Sequence, residues 1–488
     1  MASPIFEAPP SEQAHRRMLL ISFHFPPSTG VGGRRWLAFL KFFGEHDWAA
    51  DVVTRDPALL PPAVRDETLL GELPPGTRLF GVPAVRPGAL DLPFRVARRL
   101  GLIGRGRRGG GGGAAVPAPQ SVPRAQVESS SSSLRRSLLR AYVVLWHFAE
   151  ARAWARTARR IALSANRGKT IDLVVSSGPP HAAHDAARSI ARALGRPYIA
   201  DFRDPWSHSE RLPENIASPL WYSLAKRLEA RIVRDASLVV MNTEPSARAM
   251  RASYPKAADK IITIWNGSDD EPLPAPQPTT RFTIRYAGTV YIDRDPGPLF
   301  DAAARVIREL KLSPANFGIL FMGDVQEFAG RSVKDIALSY GVAEYIELQP
   351  PGSRAAVARF MADASMLISL PQDTVTAVPG KIFEYVRIPA WLLALADDDS
   401  ATAQLLSGSG ADVCPASDVD AITRVIREHY VEFASGVRPS PIGADGRFDR
   451  RQQAARLIDR ALKIVSERRD QRAMRAAPRP VSPRNETI

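Results

Sequence analysis

A single cysteine, Cys414, stands in a chain of 488 residues. No intramolecular disulfide can form, which excludes a small disulfide-stapled scaffold. Long hydrophobic runs are also missing. The most apolar candidate, AYVVLWHFAEARAW from Ala141, is broken by charge and falls short of the ~20 residues that a membrane-spanning helix needs. The first turns of the sequence lack the apolar stretch of a secretory signal. These absences predict a cytoplasmic protein that is soluble or lies on the inner membrane surface. Acids are outnumbered: 51 Asp and Glu stand against 65 Lys and Arg, a net charge of +14. Such a balance suits a phosphate-rich partner. The excess is local, with eleven arginines and two acids, Asp91 and Glu128, between Arg86 and Arg140. That segment lacks the interleaved aromatics of a single-strand nucleic-acid surface, so no nucleic-acid partner is expected.

What is present is an alternation of short apolar runs and longer amphipathic segments. MLLISF from Met18, ADVVT from Ala50, TRLFGV from Thr77, DLVVSS from Asp172, YIADF from Tyr198, LVVM from Leu238 and ITIW from Ile262 read as strands. Helical patterns fall between them, at about Arg34–Phe43, His181–Leu194 and Leu220–Arg234. The proline-rich DEPLPAPQPTT from Asp270 reads as a linker. A second series follows: FTIRY from Phe282, FGILFM from Phe317, MLISL from Met366 and WLLAL from Trp391. Strands alternating with helices predict parallel, doubly wound sheets, and hence an α/β protein of two Rossmann-like domains facing across a cleft. The expected boundaries are 16–270 for the first domain, 271–449 for the second, and 450–468 for a helix crossing back to the first. The Gly-, Pro- and Ser-rich stretch at 105–133 and the tail at 469–488 are expected to be disordered.

Ligands of such sheets bind beyond the carboxyl ends of the strands, and five motifs sit there. FPPSTGVGGRR, from Phe25, offers Gly30, Gly32 and Gly33 before a helix start, which suits either a tight turn or an anion. SSGPPHAAH carries His181 and His184 at a spacing that shares a helix face; a zinc site would need further ligands that are not evident. IADFRDPWS ends a strand in Arg203 and Asp204 above Trp206. Charges there lock a loop or line a cleft. YAGTVYIDRDPGPL offers Gly288 for close approach and Arg294 for a diphosphate. VPGKIFEY turns at Pro379 and Gly380, with Lys381 at a helix start and Glu384 one turn on. The lysine opposes the helix dipole there, so it needs a nearby anion or a pairing with Glu384.

In their order these motifs resemble the family 4 (group 1) glycosyltransferases of the GT-B fold, and among them bacterial members with a D-x-R-D-P-W signature. The resemblance covers about Met18 to Val465. It implies retaining sugar transfer from a nucleoside-diphosphate sugar without an obligatory metal or cofactor. The implied acceptor is a saccharide or lipid-linked molecule in exopolysaccharide, lipopolysaccharide or glycolipid synthesis. An anionic membrane surface is a further candidate partner, through Arg95, Arg98, Arg99, Arg105, Arg107 and Arg108. By the resemblance, Arg294 and Lys381 would hold the diphosphate and Glu384 the ribose hydroxyls. Gly30, Gly32, Gly33 and Gly288, with the Pro379–Gly380 turn, would line the donor site, and Arg203 or Asp204 would serve on the acceptor side. Three positions depart from the family. Thr376 stands where the first Glu of an E-x7-E motif falls, Arg203 stands where many relatives carry a His, and Pro389 comes early. A catalytically silent GT-B scaffold and a GT-B nucleotide-sugar epimerase are the alternatives.

Overall fold

The computed structural model describes residues 2–85, 131–208, 212, 216–269, 271–290, 294–371 and 374–476. The arginines named at 95–108 lie outside the described residues, as do 105–130 of the Gly- and Ser-rich stretch and 477–488 of the tail.

Eight strands form the first sheet: β1 (Phe6–Glu7), β2 (Arg16–Ser22), β3 (Trp48–Arg55), β4 (Arg78–Val82), β5 (Leu173–Ser177), β6 (Tyr198–Arg203), β7 (Leu238–Met241) and β8 (Ile261–Thr263). Their order is β1-β4-β3-β2-β5-β6-β7-β8. All neighbours are parallel except β1, which pairs antiparallel with β4. Around it lie α1 (Val31–Gly44), α2 (Ser131–Ala165), α3 (Ala182–Leu194), α4 (Pro219–Asp235) and α5 (Glu244–Ser253). The strands read as continuous apolar runs because helices cover both faces. One face packs Leu19, Ile21 and Val174 against α2 and α3. The other packs Met18, Leu20 and Val175 against α1.

The second sheet has β9 (Phe282–Ala287), β10 (Phe317–Met322), β13 (Ile346–Gln349), β14 (Met366–Ser369), β15 (Trp391–Leu395) and β16 (Asp412–Cys414) in the order β13-β10-β9-β14-β15-β16. A small antiparallel hairpin, β11 (Glu327–Phe328) and β12 (Arg331–Ser332), stands apart. The helices here are α6 (Gly297–Leu310), α7 (Val333–Ser339), α8 (Arg354–Ala362), α9 (Ile382–Tyr385), α10 (Ala401–Leu406) and α11 (Val419–Ala434). Phe282, Ile284 and Tyr286 face one core, and Ala287, Leu367 and Leu392 face the other.

Local chemistry sets the helix ends. Pro219 opens α4, and the Ser218 hydroxyl accepts from the Trp221 amide at 3.3 Å. Gly195 ends α3 in the left-handed conformation, φ 62°. The last helix, α12 (Arg450–Ala476), leaves the second sheet and joins the first. Its Ala454, Leu457, Ile458, Ala461 and Val465 recur at helical spacing and pack with Trp36, Phe39 and Phe43 of α1.

Two expectations are corrected here. The stretch expected to be disordered to Ser133 already enters α2 at Ser131. The tail expected to be disordered from Arg469 continues α12 to Ala476, because SERRDQRAMRA consists almost wholly of good helix formers and Arg469 pairs with Asp172 at 2.8 Å.

Candidate functional site

Each sheet changes winding direction at one place. In the first, β2 lies between β3 and β5; in the second, β9 lies between β10 and β14. Loops leaving such neighbours diverge and open a crevice. All five motifs leave their strands at these two crevices or next to them.

In the first domain, Arg203 ends β6 at φ 55°, beside a register shift. The left-handed backbone turns its guanidinium back over the loop after β5. Its Nε donates to the Gly178 carbonyl, and Nη2 donates to the Pro179 carbonyl at 2.8 Å. A Cβ on Gly32 would collide with this guanidinium, and one on Gly33 would come within 3.0 Å of the Phe25 backbone. Here, therefore, glycine makes room for protein: Gly32 for Arg203, and Gly33 for the strand end. Gly30 immediately precedes α1, with no side-chain cap. Arg203 does not lock onto Asp204. The Asp204 carboxylate instead accepts from Asn242 Nδ2 at 3.3 Å, and it faces solvent in a crowded recess that raises its proton affinity against the pull of Arg203.

His181 stacks on Trp206 with ring centroids 4.6 Å apart. His184 Nδ1 is 2.7 Å from the Ser176 hydroxyl, which also meets the Tyr198 hydroxyl. Burial first, and then Arg203, holds His184 down to about 3, so it is neutral at physiological pH. Among the described residues, no group of three or more His, Cys, Asp or Glu converges as metal ligands would.

A pair the sequence reading missed anchors this side. Arg35 is buried and grips Asp201 with Nε at 3.1 Å and Nη2 at 3.2 Å, while Trp36 Nε1 donates to the same carboxylate at 2.7 Å. Arg35 also donates to the carbonyls of Ile264 and Trp265. A two-pronged arginine pairing of this kind fixes geometry. It ties the start of α1 to the end of β6 and to the chain leaving the domain. The doubled Arg34–Arg35 and the first Asp of DFRD were the available signals.

In the second domain, Gly288 follows β9 at φ 141°, and a Cβ there would come within 2.6 Å of Lys381 Nζ. Lys381 Nζ lies 3.5 Å from the centroid of the Tyr286 ring. It is buried and has no hydrogen-bond partner among the described residues, so the pairing with Glu384 is not formed. Burial, then repulsion from Arg294, lowers its proton affinity far below that of an ordinary lysine. Arg294 Nη1 donates to the Tyr286 hydroxyl at 3.0 Å and to the Thr289 carbonyl at 3.2 Å. Glu384 faces the cleft. The side chain is exposed, yet the protein crowded around its carboxylate raises its proton affinity, opposed by Arg354, by Arg34 of the first domain, and by Lys381. Pro379 is buried, whereas Gly380 is exposed and a Cβ there would meet nothing within 4 Å.

Thr376 joins the two halves through its backbone. Its carbonyl accepts from the Thr243 hydroxyl at 2.6 Å and the Ser246 hydroxyl at 3.1 Å, both at the start of α5. The structure thus brings Arg294, Lys381, Gly288 and Glu384 to one wall, and Arg203, Asp204 and Gly32 to the other.

Residues 116–272 match the model of Glycosyltransferase Family 4. Among solved structures, the chain is similar to HepE of Anabaena, solved in complex with UDP and glucose, at 13% identity and TM-score 0.52, covering 91% of this chain and 99% of that one. It is similar to a sucrose-phosphate synthase from Thermosynechococcus elongatus at 13% identity and TM-score 0.51, covering 94% of this chain and 100% of that one. A glycosyltransferase from Rickettsia africae gives 12% identity and TM-score 0.51, covering 94% and 98%. No curated protein matches the chain in sequence. The fold is that of the GT-B glycosyltransferases, and the stretch that matches the family 4 model ends where the first domain ends.

Proposed function

We propose that this chain is a retaining glycosyltransferase that moves a sugar from a nucleoside-diphosphate sugar to a saccharide or lipid-linked acceptor in surface-polysaccharide or glycolipid synthesis. The observation that carries this reading is the Lys381 Nζ, buried beside Arg294 at the crevice after β9 with no acceptor among the described residues. A buried cation next to a second cation is costly unless an anion joins them. A diphosphate supplies that anion. As the glycosyl bond breaks, charge grows on the departing phosphate, and Arg294 and Lys381 stabilise it, so no resident metal is needed for this step. Glu384, on the same wall, accepts the ribose hydroxyls. The acceptor enters from the first domain, past Arg203 and Asp204. The UDP and glucose of HepE lie in a protein of the same fold, which supports the reading.

The test separates two kinds of residue. Lys381→Ala or Arg294→Ala should lower turnover by ~10²–10³. Glu384→Gln should mainly weaken nucleotide binding, because ribose contacts change little during transfer. Steady-state kinetics on a UDP-, GDP- or ADP-sugar identified by thermal shift decides between them. Wild-type turnover in folded Lys381→Ala protein would remove the clamp, and no turnover of any donor by the unaltered chain would favour a silent scaffold.

The anionic-membrane reading gains support from α2. Leu138, Leu145, Arg152 and Arg159 recur every seven residues and are all exposed, apolar first and basic after. Such a stripe suits an interface of acyl chains and anionic headgroups. Leu138→Glu with Arg152→Glu should cut co-sedimentation with phosphatidylglycerol-containing vesicles several-fold; undiminished binding would refute the stripe.

A further inference from the structure

The two cations of the second domain share one side chain. Tyr286, the fifth residue of β9, is fully buried. Its hydroxyl donates to the Thr289 carbonyl at 2.7 Å and accepts from Arg294 Nη1 at 3.0 Å. The Thr289 carbonyl in turn accepts from Arg294 at 3.2 Å, closing a three-membered network. On the ring face, Lys381 Nζ sits 3.5 Å from the centroid. Gly288 clears the space in which this happens.

We propose that Tyr286 is the positioning residue of the donor site, its hydroxyl fixing Arg294 and its ring carrying Lys381, so that one rigid side chain sets the spacing of both cations. The inference rests on the diphosphate reading given above. The chemistry of a tyrosine fits the task better than that of an acid. A carboxylate would hold two cations more strongly, but it would neutralise the charge the diphosphate must meet. An aromatic face attracts an ammonium through its quadrupole and leaves the positive charge intact. A phenol accepts one hydrogen bond from Arg294 and donates one to a carbonyl, so the arginine is aimed by a group that carries no charge. Tyr286 is itself held in the core between Phe321 and the helices, with its ring centroid 5.6 Å from that of Phe321. The cations therefore start at a fixed spacing, and less ordering remains to be done when the anion binds.

The test uses inorganic pyrophosphate as the probe, so it does not depend on which donor the enzyme takes. Calorimetric titration is made on the full chain and on Tyr286→Phe, Arg294→Ala and the double variant. Tyr286→Phe keeps the ring and loses one hydrogen bond, so affinity should fall about fivefold. Arg294→Ala should lower affinity roughly 10- to 100-fold, and Tyr286→Phe should then add nothing, because the hydroxyl acts through the arginine. Additive losses would overturn the role. Tyr286→Leu removes the ring, and the pH at which pyrophosphate affinity declines should then move lower than in the wild type. Tyr286→Phe should leave that pH in place, an outcome that a merely structural tyrosine does not produce. An unshifted profile in Tyr286→Leu, with folding verified by circular dichroism, would also overturn it. Unaltered pyrophosphate affinity in Arg294→Ala would instead overturn the diphosphate reading itself, a separate and recognisable failure.

Discussion

At Lys381, structure and chemistry pull against each other. Burial and Arg294 lower its proton affinity, with Glu384 opposing weakly. A diphosphate in contact favours the protonated form and raises that affinity again. Donor binding should therefore take up a proton at pH values between the empty-site and the occupied-site values. The sign follows: affinity for UDP falls as pH rises through the window between the empty and the occupied values, by up to about tenfold per pH unit for one linked proton. Titrating UDP calorimetrically in buffers of different ionisation enthalpy measures this uptake. Lys381→Arg, which keeps its charge, should flatten the dependence; identical enthalpies in all buffers for the wild type would refute it. The sequence placed Gly, Lys and Arg after the strands, and the structure brings those positions to the two crevices. Their reasons were less readable. Gly32 and Gly288 looked like openings for a ligand, yet each makes room for a side chain far away in sequence, Arg203 and Lys381. Spacing alone cannot reveal a partner more than ninety residues distant. Gly380 is the converse: its surroundings are open, and nothing in the empty protein demands a glycine there.

Among elements, α12 is the one whose importance most exceeds its sequence signal. Its mean polarity is high, and only one face is apolar. That face completes the core shared with Trp36, Phe39 and Phe43. Leu457 is fully buried there, so Leu457→Ala should cost about 2–5 kcal/mol. Urea unfolding followed by the fluorescence of the first-domain tryptophans should show the loss; an unchanged midpoint would mean that α12 is not integral to that core. Long strands were legible because their apolar runs are strong, whereas the longest helix, α2, was not read as one. Of the short edge strands only β8 was legible. β1, β13 and β16 span two to four residues, and they exist because a neighbouring strand offers unpaired backbone groups. No local pattern announces such pairing. The same holds for the last eight residues of α12, where polarity suggested disorder but helix propensity prevailed.

For the molecule as a whole, the question is how the two walls of the cleft stay opposed. Two chain crossings run side by side: Ser268 bridges to Asp449, and Arg450 donates to the carbonyls of Asn266 at 2.8 Å and Gly267 at 2.9 Å. The far side is closed by the hydroxyls of Thr243 and Ser246 on the Thr376 carbonyl. Two hydrogen bonds are worth roughly 1–3 kcal/mol together, enough to hold the cleft shut but little enough to yield to a ligand. Thr243→Asp keeps the helix cap, since a carboxylate still accepts from the Ser246 amide, but it cannot donate to Thr376. Combined with Ser246→Ala, it should favour an open form by about tenfold. Small-angle scattering should then show a larger radius of gyration without ligand; an unchanged radius would show that the contact does not hold the domains together.

The placement of α12 also bears on how the chain is made. A ribosome releases β1 to β8 long before it reaches Arg450, and nascent domains ordinarily fold in the order they emerge. Here the first domain cannot do so completely. The apolar groove along α1 waits open through the synthesis of the entire second domain, and it is sealed only by a segment made after that domain. The finished fold is therefore closed like a parcel whose last flap tucks under the first, and the interval before that closure is when the chain most needs a chaperone.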